Sequence, residues 1–160
     1  MCSVAQKVLV PLDGSPLSAT VLAWVRSFAA LVPTDLYLLQ VVAPPVSYST
    51  DAFGAVQVPG PADVQRWQDE ARQALEAVDP GPARSVSRLV RVGSPAEEIV
   101  QAAAELGADL IAMSTHGRTG LARLALGSVT EQVVRRAARP VVVLRPSEAG
   151  LAAESGSGPR

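Results

Sequence analysis

Short, uninterrupted apolar runs alternate with segments of helical periodicity along most of this chain. Four runs are apolar at nearly every position, which favours strands that are covered on both faces. They are VLVPL (8–12), LYLLQVV (36–42), LIAM (110–113) and VVVL (141–144). A fifth run, SVSRLVRV (85–92), alternates more strongly and carries Arg88 and Arg91, a pattern typical of a strand at a sheet edge. The chain is therefore predicted to contain five strands.

The segments between these runs place apolar residues at helical spacing. They predict helices over 16–31, 62–78, 95–106 and 129–138. A chain that alternates strand and helix in this way forms a parallel sheet with right-handed crossovers. We expect a three-layer, Rossmann-like α/β fold with helices on both faces of an open five-stranded parallel sheet, in strand order 3-2-1-4-5.

Three of the predicted helices begin with similar residues. The starts are Gly14-Ser15-Pro16, Gly93-Ser94-Pro95 and Gly127-Ser128. Serine suits the N-cap position and proline suits the first turn, so each serine is expected to cap its helix. Ser94 with Glu97, and Ser128 with Glu131, also have the spacing of a capping box.

The composition excludes several classes of protein. A chain of 160 residues suits one domain, and a net charge of −1 argues against a general binder of nucleic acid or of membrane surfaces. Cys2 is the only cysteine and His116 is the only histidine, so a disulfide framework is excluded and a zinc site is not expected. No run reaches 18 apolar residues and no secretory leader is evident, so a cytoplasmic protein without a membrane partner is expected.

Two regions have no clear periodicity. Residues 44–60 form a long segment rich in proline and glycine, which predicts either a binding loop or a mobile insertion. Residues 147–160 are polar and glycine-rich and predict a disordered tail, so the folded domain is expected to span residues 1–146.

The predicted topology also places a ligand site. In open parallel sheets, ligands bind beyond the carboxyl ends of the strands where the strand order reverses, here between the first and fourth strands. Those strands end at Asp13 and in MSTHGRTGLARLALGS (113–128), which contains three glycines and leads into a helix. Glycines and a helix N-terminus suit a phosphate group. Asp13 could accept hydrogen bonds from a ribose or simply form a turn.

The charge of this region fits the same interpretation. Residues 113–145 carry six arginines and one acid, Glu131, which indicates either an anion site or a solvated helix face. Arg118 or Arg123 could neutralise a phosphate. Neither a GxxxxGK[ST] nor a GxGxxG motif is present, so the residues alone indicate a phosphate site of no established type.

Three stretches together resemble the universal stress protein family. They are VLVPLDGS, VGSPAEEIVQAAAELGADLIAMSTHGRTGL and LGSVTEQVVRRAARPVVVL, and the resemblance covers residues 6–145. It implies an adenine nucleotide alpha hydrolase-like fold, ATP as the ligand with Mg²⁺ as a possible companion, and homodimers that pair through the last strand, residues 140–144. Such an apolar edge strand invites pairing or needs protection.

The ATP-binding branch of the family carries Gly-x2-Gly-x9-Gly-(Ser/Thr), which Gly117 and Gly127-Ser128 match while Ser114 replaces the first glycine. The resemblance implies a ribose contact from Asp13 and an adenine site framed by Pro11 with Val41 or Val42. It places Met113 near the base or sugar. The implied phosphate-binding residues are Gly117, Arg118, Gly127, Ser128 and Val129.

Two functions from different classes follow. One is an ATP-binding module of stress regulation that acts through partner proteins. The other is a dimeric interaction protein that binds no nucleotide, which Ser114 would favour. An adenylate-forming enzyme would need a signature that His116-Gly117 does not supply. Since Asp13 and His116 are the only candidate catalysts and neither has an evident orienting partner, slow ATP hydrolysis is the most that is expected.

Overall fold

The computed structural model describes residues 6–16, 18–44, 49–50, 56–57, 59–115 and 127–145. Within these ranges the chain forms seven strands and four helices. In chain order they are β1 (Gln6–Leu12), α1 (Ser18–Leu31), β2 (Thr34–Val42), β3 (Ser49–Thr50), β4 (Val56–Gln57), α2 (Pro61–Glu76), β5 (Ser85–Val92), α3 (Pro95–Leu106), β6 (Leu110–Ser114), α4 (Ser128–Arg136) and β7 (Val141–Leu144).

Five of the strands form one parallel sheet in the order β5-β2-β1-β6-β7. Counting only these five strands, the order is the predicted 3-2-1-4-5, so the fold prediction is confirmed. The alternating run over Ser85–Val92 lies at one edge, as expected, and β7 lies at the other. The remaining two strands, β3 and β4, pair antiparallel within residues 44–60. The sequence did not predict this short pair.

The sheet separates two apolar clusters, because successive side chains of a strand point to opposite faces. On one face Val8, Val10 and Leu12 of β1 pack with α1 and with Leu75 of α2. On the other face Leu9 of β1 packs with residues of α3 and α4, among them Ile99 and Val133. Helices thus cover both faces, which explains why the strands are apolar at nearly every position.

The helix starts differ from the prediction in detail. Ser94 occupies the N-cap position of α3 and Pro95 its first turn, but the Ser94 side chain makes no capping hydrogen bond. The N-cap of α4 is Gly127, so Ser128 is the first helical residue and the predicted serine cap is wrong there. Glu97 of α3 forms an ion pair with Arg136 of α4 at 3.4 Å, which joins the two helices.

Candidate functional site

A cleft of about 540 Å³ opens at the carboxyl edge of the sheet. It lies where β1 has β2 on one side and β6 on the other, which is the point where the strand order reverses. Its volume is within the range of small-molecule sites. Most lining side chains are apolar, and five of them pack on the face of the sheet that α3 and α4 cover: Leu39, Val41, Ile99, Met113 and Val129.

Eight of the eleven residues implied by the resemblance line this cleft. They are Pro11, Asp13, Val41, Met113, Ser114, Gly127, Ser128 and Val129. Of the two alternatives at the end of β2, Val41 lines the cleft, whereas Val42 is not among the lining residues and pairs with Val92 of β5. Gly117 and Arg118 fall outside the described residues, as does His116.

The start of α4 lines the cleft through Gly127, Ser128 and Val129. Gly127 caps the helix with φ −57° and ψ 150°, a conformation that any residue can adopt. A Cβ built at Gly127 would meet no described atom within 4 Å. Neither the backbone conformation nor the described packing therefore requires glycine. The amide groups of the first helical turn and the helix dipole make this end of the helix attractive to an anion.

The cleft has an apolar lining that was only partly predicted. Leu39 of β2 and Pro95 and Ile99 of α3 line it in addition to Pro11, Val41 and Met113. The signal for α3 was the Gly93-Ser94-Pro95 start, because α3 follows directly on β5, whose carboxyl end lies at the same edge of the sheet. By itself, that pattern indicates only a helix start.

Ser114, the residue that replaces a glycine of the family pattern, ends strand β6. Its carbonyl accepts a hydrogen bond from Thr130 Oγ1 at 3.5 Å, which ties the strand end to the first turn of α4. Met113 belongs to the α3 and α4 face, and Ala112 belongs to the opposite face. By alternation, the Ser114 side chain is directed to the same face as Ala112, away from Met113.

Asp13 is the only ionisable side chain among the described residues that line the cleft. It is exposed at the end of β1, and its Oδ1 accepts a hydrogen bond from the Ser15 amide at 2.9 Å. No group of three or more metal-ligating side chains was found among the described residues. The cleft therefore combines an apolar lining, one carboxylate and one helix N-terminus.

The shifted pKa values lie elsewhere. Hydrogen bonds from Arg84 and then from Ser85 lower the pKa of Asp35, at the amino end of β2. A hydrogen bond from Arg91, and a further one from Gln101, lower the pKa of Glu105 in α3. None of these residues lines the cleft, so these pairs stabilise the fold rather than serve the site.

Comparison with known proteins identifies the family. The family model described as universal stress protein family matches residues 5–145. The chain belongs to this family. The resemblance predicted from the sequence is thereby confirmed.

Individual universal stress proteins are similar over nearly their full length. Universal stress protein MJ0577 of Methanocaldococcus jannaschii is 29% identical over 158 residues, which cover 91% of this chain and 98% of that protein. The solved structure of MJ0577 superposes on this chain with a TM-score of 0.72 at 30% sequence identity. The match covers 89% of this chain and 97% of the MJ0577 chain. A universal stress protein solved in complex with cAMP superposes on this chain with a TM-score of 0.60 at 27% sequence identity. The match covers 91% of this chain and 100% of that protein's chain.

No helix in the described ranges is both long enough and apolar enough to cross a membrane.

Proposed function

We propose that this universal stress protein binds ATP in the cleft and acts as a nucleotide-dependent regulatory module. The observation that carries the proposal is Gly127, which borders the cleft although its backbone conformation and its described surroundings would admit a larger residue. Close approach of a ligand to the start of α4 accounts for that glycine. The relative that was solved with cAMP supports an adenine nucleotide.

The residues that line the cleft suit the different parts of a nucleotide. The base would lie between Pro11, Val41 and Met113, where it replaces water against apolar surface. The phosphates would lie at Gly127, Ser128 and Val129, where the amides of the first turn of α4 can donate hydrogen bonds. Asp13, which also lines the cleft, would accept a hydrogen bond from a ribose hydroxyl.

The residues of the cleft suit a magnesium ion only if the ion also binds the phosphates of the nucleotide. Mg²⁺ is usually held by one or two carboxylates together with phosphate oxygens and water, not by an all-protein cage. Asp13 is the one carboxylate that the described lining offers. We therefore propose that any Mg²⁺ binds together with ATP and does not bind to the protein by itself.

A second copy of this chain is the partner that we propose for strand β7. Among the described strands only β6 pairs with β7, so no described strand satisfies the backbone groups along its other edge. Its four residues are all partly exposed, and Val134 of the preceding helix is 42% exposed. Antiparallel pairing of two β7 strands would satisfy both edges symmetrically.

The test of the nucleotide proposal begins with freshly purified protein. The protein is denatured, and the supernatant is analysed by chromatography and mass spectrometry for released nucleotide. Calorimetry then measures binding of ATP with and without Mg²⁺. The proposal expects released ATP or ADP, or saturable ATP binding. An empty supernatant together with no heat of binding would overturn it and favour the dimeric interaction protein.

A further inference from the structure

Pro11 lies in the middle strand of the five-stranded sheet, where proline is unusual because it has no N–H to donate to a neighbouring strand. On one side, β1 pairs with β2 along all seven of its residues. On the other side, β1 pairs with β6 only at Val8 and Leu9. Both strands continue beyond these pairs, β1 to Leu12 and β6 to Ser114, and every residue of both strands lies in the described ranges. The β1–β6 ladder therefore ends before either strand does.

Backbone hydrogen bonds at the start of β1 show which neighbouring strand Pro11 faces. The Gln6 amide donates to the Pro33 carbonyl, just before β2, at 2.8 Å. The Lys7 carbonyl accepts from the Asp109 amide, just before β6, at 2.8 Å. Because the backbone groups of successive residues in a central strand point to opposite neighbours, residues 7, 9 and 11 face β6. Pro11 thus lies at a position from which β1 would donate to β6.

The missing amide explains where the ladder ends. In the register that pairs Leu9 with Ile111, Pro11 would lie opposite Met113. An amide at residue 11 would then donate to the carbonyl of Ala112, as the hydrogen-bond pattern of parallel strands requires. The two pairs that would follow Leu9 both depend on this hydrogen bond. A proline at residue 11 therefore removes both pairs.

The cleft borders the strand ends that this interruption leaves unpaired. Strand β1 contributes Pro11 and Leu12 to the lining, and β6 contributes Met113 and Ser114. In each of these two pairs, the side chains belong to opposite faces of the sheet. By contrast, the lining residues of β2, which stays paired with β1, all belong to the face that α3 and α4 cover. This difference indicates that the cleft extends between β1 and β6.

We propose that Pro11 opens the cleft through its backbone, because its missing N–H keeps the end of β6 from pairing with the end of β1. Pro11 is then a positioning residue for the ligand, in addition to the contact with the base that its ring would make. The separation of the two strands needs no ligand. Its effect on ATP binding rests on the proposed function.

The separation is tested by a crystal structure of the ligand-free variant Pro11→Ala, which regains an amide at residue 11. We expect the nitrogen of residue 11 within about 3.2 Å of the Ala112 carbonyl oxygen, with the β1–β6 ladder extended to Leu12. The matched control is Pro11→N-methylalanine, made by cell-free translation, which also lacks the ring but has no N–H. Its ladder should end at Leu9, as in the wild type. A ladder that ends at Leu9 in Pro11→Ala as well would overturn the proposal.

The effect on the ligand is tested by calorimetry with ATP on the same two variants. Pro11→Ala should bind ATP about threefold to tenfold more weakly than Pro11→N-methylalanine, since one extra hydrogen bond must break before the nucleotide can enter. Both variants lack the proline ring, so a lost contact between the ring and the base cannot cause this difference.

Two results would separate the proposals. Equal affinities, together with an extended ladder in Pro11→Ala, would show that the nucleotide does not use the space between the strands and would contradict the positioning role. If the wild-type protein binds no ATP, the positioning role fails with the proposed function. The crystal structures still decide whether Pro11 separates the strands.

Discussion

Gly93 and Gly127 lie at the starts of α3 and α4, the two helices that line the cleft. The two positions differ in how strongly the surrounding structure restricts the residue type. Gly93 has φ +153°, and a Cβ there would lie 2.7 Å from Oε1 of Glu98. Gly127 has an ordinary conformation, and no described atom lies within 4 Å of the position of its missing Cβ. The described fold thus constrains the first glycine, whereas at the second it leaves space that the proposed nucleotide would use.

Gly127→Val is expected to abolish ATP binding without unfolding the protein. The valine side chain would project into the space that the proposed phosphates need, while its Cβ would meet no described atom within 4 Å. The matched control is Gly60→Val at the N-cap of α2, where φ is −81° and ψ 170°. Both variants should lose similar stability, about 1 kcal/mol, because valine is a poor N-cap residue. Calorimetry with ATP and chemical denaturation measure the two effects.

Gly60 does not line the cleft, so the control should bind ATP with wild-type affinity. If Gly127→Val folds and still binds ATP normally, the phosphates do not approach α4 at this residue. If Gly60→Val also loses ATP binding, the loss results from placing valine at a helix start and not from blocking the cleft.

Gly93→Ala is expected to destabilise the protein by about 1–3 kcal/mol. The backbone conformation at Gly93 is one that residues with a side chain rarely adopt, and strain of this kind has that magnitude. Chemical denaturation measures the loss. The double variant Gly93→Ala/Glu98→Ala separates the causes, since it removes the contact with Glu98 but keeps the backbone strain. Stability equal to that of Glu98→Ala alone would show that the strain is negligible.

The fold could be predicted because its signal is repeated along the chain. Each strand that is covered on both faces is a continuous apolar run, and the alternation with helices fixes a parallel sheet. The pair β3 and β4 escaped prediction because two strands of two residues leave no measurable periodicity.

The site could be predicted only in part, and the reasons are physical. The family pattern and the strand ends led to Pro11, Asp13 and Met113. Leu39 and Ile99 were missed because their sequence context is that of ordinary core residues. The cap of α4 was assigned to Ser128 because serine is a common N-cap residue, and which of two neighbouring residues caps a helix depends on backbone geometry.

Ser114→Gly is expected to change the affinity for ATP by less than about twofold. Ser114 lines the cleft, but strand alternation directs its side chain to the face of Ala112 and away from Met113, so its removal should add little space beside Met113. The hydrogen bond from Thr130 uses the Ser114 carbonyl and survives the change. Titration calorimetry of both proteins measures the effect. A gain of tenfold or more would show that serine obstructs the nucleotide.

Acid should destabilise the protein through Asp35. Two hydrogen bonds from Arg84, at 2.9 and 2.7 Å, hold its carboxylate in the charged form and lower its pKa. The native state therefore binds this proton at a lower pH than the unfolded chain does. The stabilisation is complete above the unfolded pKa of about 4 and disappears as the pH falls through the native value.

The measurement is urea denaturation at a series of pH values between about 2 and 6. Asp35→Asn should reduce the loss of unfolding free energy with falling pH. Asp69→Asn serves as control, because its pair with Arg72 is about half exposed and such pairs contribute little. An unchanged pH dependence in Asp35→Asn would assign the acid sensitivity to other carboxylates, among them Glu105.

Val142→Lys on β7 is expected to convert the proposed dimer into a monomer. A lysine on an edge strand opposes pairing with a second strand, because two copies would bring like charges together. Ser87→Lys places the same charge on β5, the opposite edge of the sheet, and should leave the dimer intact. Size-exclusion chromatography with light scattering gives the masses, and thermal unfolding checks that both variants fold. Dissociation by Ser87→Lys alone would move the interface to β5, and a monomeric wild type would rule out either edge as a stable dimer interface.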